Sequence, residues 1–306
     1  MKFSKSRDNN FVNTLCKYLI ENNWKQEKYN KKNIYDYCDI TNNSKIDNID
    51  LSTYKYWQNK FFLYSLLENK KYIPETYIIF NGKYLTEEPQ TDNKLYFIKN
   101  SIADANRDNY LTKDLNEIIK ISQQNSKKMY IVQPSINSLT YKNKKFDIRI
   151  WGCLISHDHI SFELLVFKKG RVRLSRDNYD FNSSNNYSQF TCIGSNDTKI
   201  DFNENFTNYR FFMKKIIPII QSIFNKSKLH FVNQDKLDQK LVWIVGFDFI
   251  FDNNRNIYLL EINNKPSFFN MSVASEEFIK YLAENIYTPM AKNEQPIYND
   301  QVIKIT

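Results

Sequence analysis

The chain has 306 residues and a formal net charge of +9, because 43 Lys and Arg residues outnumber 34 Asp and Glu residues. Hydrophobic residues make up 42% and aromatic residues 16%, which excludes a disordered chain and predicts a folded protein with a sizeable core. The positive charge favours an anionic partner (nucleic acid, an acidic lipid surface or an acidic polypeptide) without choosing among them. No apolar run has the length of a membrane span, and the first residues lack an apolar signal sequence, so a cytoplasmic protein is expected.

The N-terminal part is predicted to contain two helices separated by a polar stretch. Apolar side chains in residues 11–20, "FVNTLCKYLI", recur at helical spacing. Residues 25–56 are polar and irregular and indicate a loop with short elements. A second amphipathic helix is predicted in "YWQNKFFLYSLLENKK", which ends before Pro74.

The central part reads as a small α/β unit. Strands are predicted in "ETYIIF", in "KLYFIKN" and in "MYIVQPSI". A helix is predicted in "KDLNEIIKIS", where Asp114 and Glu117 have the spacing of a capping box.

From residue 144 onward the pattern changes to long antiparallel strands. They are predicted in "KFDIRIWGCLIS", in "SFELLVFKKGRVRLS" with a tight turn at 168–170, and in "KLVWIVGFDFIFDNNRNIYLLEINN". Helices are predicted in "YRFFMKKIIPIIQSIFNK" and "EEFIKYLAENIY", and the last dozen residues are expected to be a tail. The predicted division is an N-terminal domain 1–76, a central lobe 77–136, a C-terminal lobe 137–292 and a tail 293–306.

The hairpin at 245–263 places oxygen-bearing side chains on one face. Strand side chains alternate between faces, so a turn at 253–256 sets Asp248 opposite Glu261, with Asn263 beside Gly246. The same register pairs Phe249 with Leu260 and Phe251 with Tyr258 on the apolar face. Two facing carboxylates repel by about 1 kcal/mol, and a hard cation such as Mg²⁺ would relieve the repulsion. Gly246 is expected to leave room for a ligand, and the alternative reading is a solvated sheet face.

Cations are predicted on strands that neighbour this hairpin. Lys145, Asp147 and Arg149 share one face of their strand with Trp151, and "RVRLS" adds Arg171 and Arg173 on a common face. Carboxylates for a metal beside cations for phosphate oxygens are typical of phosphoryl transfer. The glycines, only five in number, form neither a P-loop nor a dinucleotide-binding motif, so side-chain cations would have to bind any nucleotide.

Several segments together resemble one enzyme family. The most specific are "KFDIRIW", "KKGRVRLS" and "VGFDFIFDNNRNIYLLEINNKPS", and "YIPETYII", "YFIKN", "YIVQPSI" and "NNYS" also occur in the family's order. They look like the tubulin–tyrosine-ligase-like family of ATP-grasp amino-acid ligases, over nearly the whole chain. The resemblance implies an α+β ATP-grasp fold with a small N-terminal domain, a central α/β lobe and a C-terminal lobe built on an antiparallel sheet.

The resemblance also implies roles for individual residues, which follow by group. The expected magnesium ligands are Asp248, Glu261 and Asn263. The expected ATP contacts are Lys99 at the α- and β-phosphates, Gln133 and Ile136 beside adenine, and Lys145 and Asp147 in the nucleotide and acceptor site. The expected catalytic residues are Arg149 and Arg173, beside the γ-phosphate, together with Asp147.

The implied reaction uses ATP and Mg²⁺ to activate a carboxylate as an acyl-phosphate, which the amine of a free amino acid then converts to an amide. The implied acceptor is an acidic protein tail such as that of tubulin, and the amino acid (Tyr, Glu or Gly) stays open. The family has a glycine-rich stretch after its lysine, where this chain has "KNSIADANRDNYL". Ala103, Asn106 and Asp108 replace glycines there, and Asp108 is expected to repel phosphate.

Two alternatives from other classes stay open at this point. A non-catalytic ATP-grasp protein that binds acidic tails would suit the glycine-poor loop. A nucleic-acid-binding protein would suit the charge, although no RNA-binding signature is present. The remaining signals are minor: His157, His159 and His230 are expected to be ordinary surface residues, and Lys265 could touch the acceptor or be a plain loop lysine. Reduced thiols are expected because no C-x-x-C pair occurs among the four cysteines, which are Cys16, Cys38, Cys153 and Cys192.

Overall fold

The fold is described from a computed structural model. The structure describes residues 2–4, 10–27, 46–47, 57, 59–67, 70–90, 93–102, 108–158, 160–191, 200–232, 240–264, 266, 268 and 271–305. Several predictions fall outside these residues: those on Cys38 and Cys192, on Ala103 and Asn106, on His159 and Lys265, and on most of 25–56. In the part that is described, none of the helices is long and apolar enough to cross a bilayer.

The N-terminal part contributes two short strands and two helices. Helix α1 (Asn10–Glu21) follows strand β1 (Lys2–Ser4), which pairs in parallel with strand β2 (Lys25–Glu27). The first predicted helix is therefore confirmed, and its apolar stripe is buried except for Ile20. Helix α2 (Lys60–Leu66) is shorter than predicted, since its first turn is capped only at residue 59.

A five-stranded antiparallel sheet forms the central lobe, in the order β5-β4-β8-β6-β7. Helix α3 (Leu115–Gln124) packs on it through Ile118 and Ile121, and Asp114 caps the helix. The predicted capping box is not formed, because Glu117 accepts a hydrogen bond from Thr112 instead. The predicted strands and helix are confirmed. The bounds of the strands are β4 Tyr77–Phe80, β5 Lys83–Tyr84, β6 Tyr96–Asn100, β7 Asn109–Thr112 and β8 Met129–Pro134.

A larger antiparallel sheet forms the C-terminal lobe, with β12-β11-β10-β13-β14 as its main order. Three short strands complete it: β9 pairs with β10 and β15 with β11 in antiparallel fashion, whereas the two-residue β3 (Ile46–Asp47) pairs in parallel with β13. The bounds of the others are β9 Thr140–Tyr141, β10 Lys144–Ser156, β11 Glu163–Leu174, β12 Ile200–Phe202, β13 Lys240–Phe251, β14 Ile257–Asn263 and β15 Val302–Ile305.

Helices cover both faces of the larger sheet. Helix α5 (Tyr209–Ser227) packs on one face, where Ile148, Ile150 and Phe247 point. Helix α1, helix α6 (Val273–Tyr281) and its π-helical continuation Leu282–Tyr287 cover part of the other, around Trp151. The remaining helical bounds are α4 Asn186–Gln189, α7 Thr288–Ala291 and the 3₁₀ segments Lys70–Tyr72 and Lys228–Phe231.

The structure corrects the prediction of a tight turn at 168–170. Strand β11 continues through Gly170, and the register against β10 shifts between Ile150 and Gly152. Gly170 is needed for close strand approach, because a Cβ there would lie 2.4 Å from the backbone oxygen of Arg149. The irregularity is thus a β-bulge rather than a reversal of the chain.

The predicted tail at 293–306 is also wrong in part. Residues 302–305 form β15, which pairs with the outer edge of β11, and Ile305 is buried in the core. The division into domains otherwise stays a prediction.

The predicted register of the hairpin at 245–263 is correct at one end and wrong at the other. Asp248 lies opposite Glu261 and Gly246 opposite Asn263, as predicted. A bulge after Asp248 then pairs Phe249 with Leu259 rather than Leu260, and it likewise pairs Phe251 with Ile257 rather than Tyr258. The bulge is favourable because it turns Ile257 and Leu259, which are 4% and 1% exposed, into the core.

Candidate functional site

One row of charged side chains crosses all five main strands of the larger sheet. The register sets Glu261 opposite Asp248, Asp248 opposite Arg149, Arg149 opposite Arg171 and Arg171 opposite Asp201. Directly opposed residues of antiparallel strands share a face, and neighbouring strands lie about 4.8 Å apart, so the row is roughly 19 Å long. We call these five residues the charged row. Asp201 was not predicted, because β12 is only three residues long and lies far from the hairpin in sequence.

Arg149 and Asp248 form a buried, two-pronged ion pair at the centre of the row. Arg149 donates from Nε to Oδ1 and from Nη2 to Oδ2 of Asp248, both at 2.7 Å. The side chains are 9% and 0% exposed. Burial raises the pKa of Asp248, and the charges of Arg149 and Arg173 oppose that rise. The two parallel hydrogen bonds fix both side chains in a site with little water.

A second row, one step along the strands, repeats the pairing. Arg173 donates to Asp147 from Nε at 2.6 Å and from Nη2 at 2.8 Å. The same Nη2 also donates to Asp248 Oδ2 at 2.8 Å, so Arg173 joins the two rows. The hydroxyl of Thr191 donates to Asp147 as well. Thr191 carried no sequence signal, since it follows the last turn of a short helix in a loop.

The three predicted metal ligands come together at the end of the charged row. The side-chain nitrogen of Asn263 donates to Asp248 Oδ2 at 3.0 Å and to Glu261 Oε1 at 3.2 Å. Because one amide group reaches both carboxylates, all three heads lie within reach of one small cation. Two carboxylates and an amide are hard oxygen donors of the kind that Mg²⁺ prefers. Within the described residues no cluster of three His, Cys, Asp or Glu offers an alternative metal site.

The donor set fits a hard cation, but Asp248 already has several partners. Its Oδ2 accepts hydrogen bonds from Arg149, Arg173 and Asn263, whereas its Oδ1 accepts one, from Arg149. A cation that binds Oδ2 must therefore replace a donor, and Asn263 can turn its amide to present oxygen instead of nitrogen. Gly246 does not provide the expected open space, because a Cβ there would lie 3.0 Å from Pro266.

Lys60, at the first turn of α2, is a charged site residue that the sequence did not single out. Its Nζ lies 3.5 Å from Glu261 Oε2, and its side chain is 9% exposed. Burial acts to raise the pKa of Glu261, but the charges of Lys60, Arg173 and Arg149 hold that pKa well below its ordinary value. The contact between Lys60 and Glu261 is visible only in the folded structure, because α2 and β14 are far apart in the sequence.

On the central lobe, Lys99 and Gln133 are held by a chain of hydrogen bonds. Lys99 Nζ donates to Gln133 Oε1 at 2.9 Å, and Gln133 Nε2 donates to the hydroxyl of Thr76 at 2.9 Å. Gln133 also lines a small, open cleft between the central lobe and β14. The residues around this cleft are Lys60, Leu63, Tyr64, Ile73, Thr76, Gln133, Leu259 and Leu260.

Lys145 lies on the larger sheet but meets residues of the smaller one. It is buried, its Nζ lies 4.9 Å from the centre of the Phe97 ring, and it donates to Gln189 Oε1 at 3.3 Å. Lys99 Nζ lies 5.5 Å from the same ring. Burial, and then the charge of Lys99, lower the pKa of Lys145 to about 7, although Asp147 opposes the change. The two predicted nucleotide lysines therefore lie near the same phenylalanine ring and influence each other electrostatically.

Two further predicted residues, Ile136 and Asp108, have partners of their own. The carbonyl of Ile136 accepts a hydrogen bond of 2.9 Å from Tyr179, which ties the segment after β8 to the segment after β11. Asp108 does not present a free charge, because Lys128 binds its carboxylate at 2.7 Å and Asn100 donates to it at 3.2 Å. These two hydrogen bonds lower the pKa of Asp108.

Helices packed on two antiparallel sheets, with acids and bases gathered on the larger sheet and a lysine from each sheet beside the same phenylalanine ring, define an α+β protein of the ATP-grasp type. The model of the tubulin-tyrosine ligase family matches residues 27–297. The chain therefore belongs to that family, and the fold expected from the sequence is confirmed.

Curated relatives are tubulin glycylases of Tetrahymena thermophila. The chain is 30% identical to tubulin glycylase 3C over 184 residues, which are 51% of this chain and 17% of that protein. It is 26% identical to tubulin glycylase 3D over 216 residues, 64% of this chain and 21% of that protein. For tubulin glycylase 3F the identity is 27% over 185 residues, 55% and 20% of the two chains. The matches thus span about a fifth of the length of these relatives.

Proposed function

We propose that this protein is a cytoplasmic ATP-dependent ligase that joins a free amino acid to a carboxylate on an acidic protein, such as the C-terminal tail of tubulin. The observation that carries the proposal is the convergence of Asp248, Glu261 and Asn263 beside two buried arginines. Oxygen ligands for a cation next to fixed guanidinium groups are what transfer of a phosphoryl group needs.

The family resemblance and the positions of the site residues support the following roles. Asp248, Glu261 and Asn263 would hold Mg²⁺, which when bound neutralises charge on the ATP phosphates. Lys99 would supply positive charge to the α- and β-phosphates, and Lys145 lies beside it, near the same Phe97 ring. Gln133 and the backbone at Ile136 would border adenine, and Asp147 holds Arg173 in place through two hydrogen bonds.

The reaction would proceed in two steps. An oxygen of the acceptor carboxylate attacks the γ-phosphorus, the bond to the bridging oxygen breaks, and ADP leaves with the electron pair. The amine then attacks the carbonyl carbon of the acyl-phosphate, the carbon–oxygen bond to phosphate breaks, and the nitrogen loses its excess protons as the amide forms. Arg149 and Arg173 would stabilise the negative charge that grows on the transferred group, which is usually the largest contribution to such catalysis.

The acceptor is inferred from charge and from the relatives. The net charge of +9 would steer an anionic protein tail toward the site. The matched relatives are named tubulin glycylases, which favours tubulin as the protein to test first and glycine as the amino acid.

The test is incorporation of radiolabelled glycine, glutamate or tyrosine into purified tubulin in the presence of ATP and Mg²⁺. We expect incorporation of one of the three, and its loss in Glu261→Gln. Glu163→Gln, which changes a partly exposed carboxylate paired with Lys304, serves as the matched control and should stay active. Incorporation that persists in Glu261→Gln would refute the metal assignment.

A second candidate is a non-catalytic protein that binds acidic tails, which the glycine-poor segment after Lys99 favours. In that case the protein would bind tubulin tails in a salt-dependent way and would not release phosphate from ATP with any of the three amino acids. Phosphate release that depends on one amino acid and on tubulin would exclude it.

A further inference from the structure

We infer that Arg171 and Asp201 bind the free amino acid as a zwitterion, Arg171 through its α-carboxylate and Asp201 through its α-ammonium group. The inference deepens the proposed function and rests on it, since it names the site of the second substrate. It concerns the end of the charged row opposite the predicted metal ligands.

The first argument is position. Arg171 lies one strand from Arg149, and Asp201 lies one strand further along the same row. Each strand step is about 4.8 Å, so the pair begins roughly 5 Å from the arginine that would face the acyl-phosphate. A nucleophile held at this end of the row lies beside the activated carbonyl without occupying the metal end.

The second argument is the charge of the site. Arg149 and Arg173 each make two hydrogen bonds to one carboxylate, Asp248 and Asp147 respectively. Arg171 is a third guanidinium on the same face, directly opposite Arg149 and two residues from Arg173. Burial, and then the charges of Arg173 and Arg149, lower the pKa of Arg171, while the nearby charges of Asp147 and Asp201 oppose the change in part. An added carboxylate would relieve this repulsion, and a guanidinium binds a carboxylate with two parallel hydrogen bonds.

The third argument is that the Asp201 carboxylate is held in place and can still accept further hydrogen bonds. Its Oδ1 accepts a hydrogen bond of 3.1 Å from the backbone nitrogen of Ala274, in the first turn of α6. An ionised carboxylate has about four acceptor sites, so this bond leaves room for an ammonium group. Lys169, the next cation on that face of β11, is bound by Glu277 at 2.8 Å. Asp201 and Arg171 are both half-buried, so a small ligand can reach them.

The fourth argument is chemical. A free amino acid carries one negative and one positive group on the same α-carbon, and a neighbouring arginine and aspartate match that pattern. Binding of its carboxylate by Arg171 would also keep that carboxylate away from the γ-phosphate, so that the acceptor's carboxylate is the one activated.

The experiment measures amino-acid binding separately from ligation. Equilibrium dialysis of ¹⁴C-labelled glycine, glutamate or tyrosine is carried out with the full chain, Mg²⁺ and a non-hydrolysable ATP analogue. We expect the wild type to retain at least one of them. Arg171→Gln should weaken its binding about tenfold to a hundredfold, the effect of losing hydrogen bonds to a charged group. Asp201→Asn, which keeps an acceptor for Ala274, should also weaken it, and Arg171→Lys should restore part of the affinity.

The controls separate this site from the nucleotide site. The amide of the retained amino acid has the amine but no carboxylate. For the wild type it should compete at least about tenfold more weakly than the amino acid itself. For Arg171→Gln the amide and the amino acid should compete equally poorly. Nucleotide affinity should not change in Arg171→Gln, and Arg210→Gln, at an exposed arginine of α5, should behave as the wild type.

Three results would overturn the inference: wild-type affinity in Arg171→Gln, retention of none of the three amino acids by the wild type, or loss of nucleotide affinity together with amino-acid affinity. If Arg171→Gln does not fold, Asp201→Asn decides in its place by the same criteria. Retention of an amino acid without its transfer to tubulin would refute the proposed ligase activity and leave the binding site standing, so the two failures are distinguishable.

Discussion

Arg149 and Asp248 lie directly opposite each other on neighbouring strands, and each of two nitrogens of the arginine donates to a different oxygen of the aspartate at 2.7 Å. Both side chains are removed from water, so each depends on the other for its charge to be tolerated. The pair therefore has a structural role in addition to any role toward a ligand.

The first prediction separates these roles. Asp248→Asn leaves Arg149 buried without its counter-charge and should lower the free energy of unfolding by about 3–5 kcal/mol. Glu261→Gln should cost much less, because its side chain is 33% exposed and its ionic partner Lys60 lies at 3.5 Å. Urea unfolding of both variants measures the difference. Equal midpoints would show that the buried pair contributes no more to stability than the half-buried one.

The second prediction concerns pH and Lys145, whose pKa is lowered to about 7 by burial first and by Lys99 second. In the unfolded chain this amine keeps its proton up to its ordinary pKa of 10.5. Between these values the unfolded state binds more protons, so this group makes the protein more stable as pH rises from about 7 toward 10.5. Lys145→Met should remove this contribution, and Lys113→Met, at an exposed position, should not.

The measurement is the free energy of unfolding of wild type and Lys145→Met at pH 7 and pH 9.5. The wild type should gain stability relative to the variant over this interval. No relative gain would mean that Lys145 keeps its proton in the folded state over this interval, as it does in the unfolded chain.

The residues of the site could be predicted because strand side chains alternate strictly between two faces. Each of four site residues lies in a long strand whose other face is continuously apolar, so the sequence predicted that their side chains share one face of the sheet. These residues are Asp248, Glu261, Arg149 and Arg173. Contacts between segments far apart in sequence could not be obtained in this way. Lys60 and Thr191 meet the site only through the fold, and neither lies in a periodic strand.

The errors in register have a physical cause of the same kind. An alternating pattern gives the face of each side chain but not the position of a bulge, since one extra residue is inserted only where packing rewards it. The bulge after Asp248 is favourable because it buries Leu259 and Ile257. At Gly170 the bulge allows β11 to approach the backbone of Arg149 closely. The same bulge marks the point where the neighbour of β11 changes from β15 to β12.

The third prediction concerns the hydrogen-bond chain from Lys99 through Gln133 to Thr76. If Gln133 positions the lysine for phosphate, Gln133→Met should weaken ATP binding several-fold, since one such bond contributes about 1 kcal/mol. Lys99→Met should weaken it further. The double variant should be little weaker than Lys99→Met alone, because the two residues act through one contact. Fluorescence titration with an ATP analogue gives the four affinities, and strictly additive losses would show that Gln133 acts independently of Lys99.

The fourth prediction concerns Asp108, which replaces a family glycine and is bound by Lys128 at 2.7 Å. Both side chains are well exposed, 31% and 40%, so this ion pair should contribute less than about 1 kcal/mol to stability. Its expected effect is on nucleotide binding. Lys128→Met frees a carboxylate at the end of the loop that follows Lys99, and its repulsion of phosphate should raise the KM for ATP by about fivefold or less, the equivalent of 1 kcal/mol.

The rescue variant makes this prediction specific. Asp108→Asn in the Lys128→Met background removes the freed charge while the amide can still accept the hydrogen bond from Asn100. It should return the KM for ATP to near the wild-type value, with unfolding midpoints unchanged throughout. A KM that stays high in the double variant would mean that Lys128 contacts the nucleotide itself, and that neutralising Asp108 is not its role.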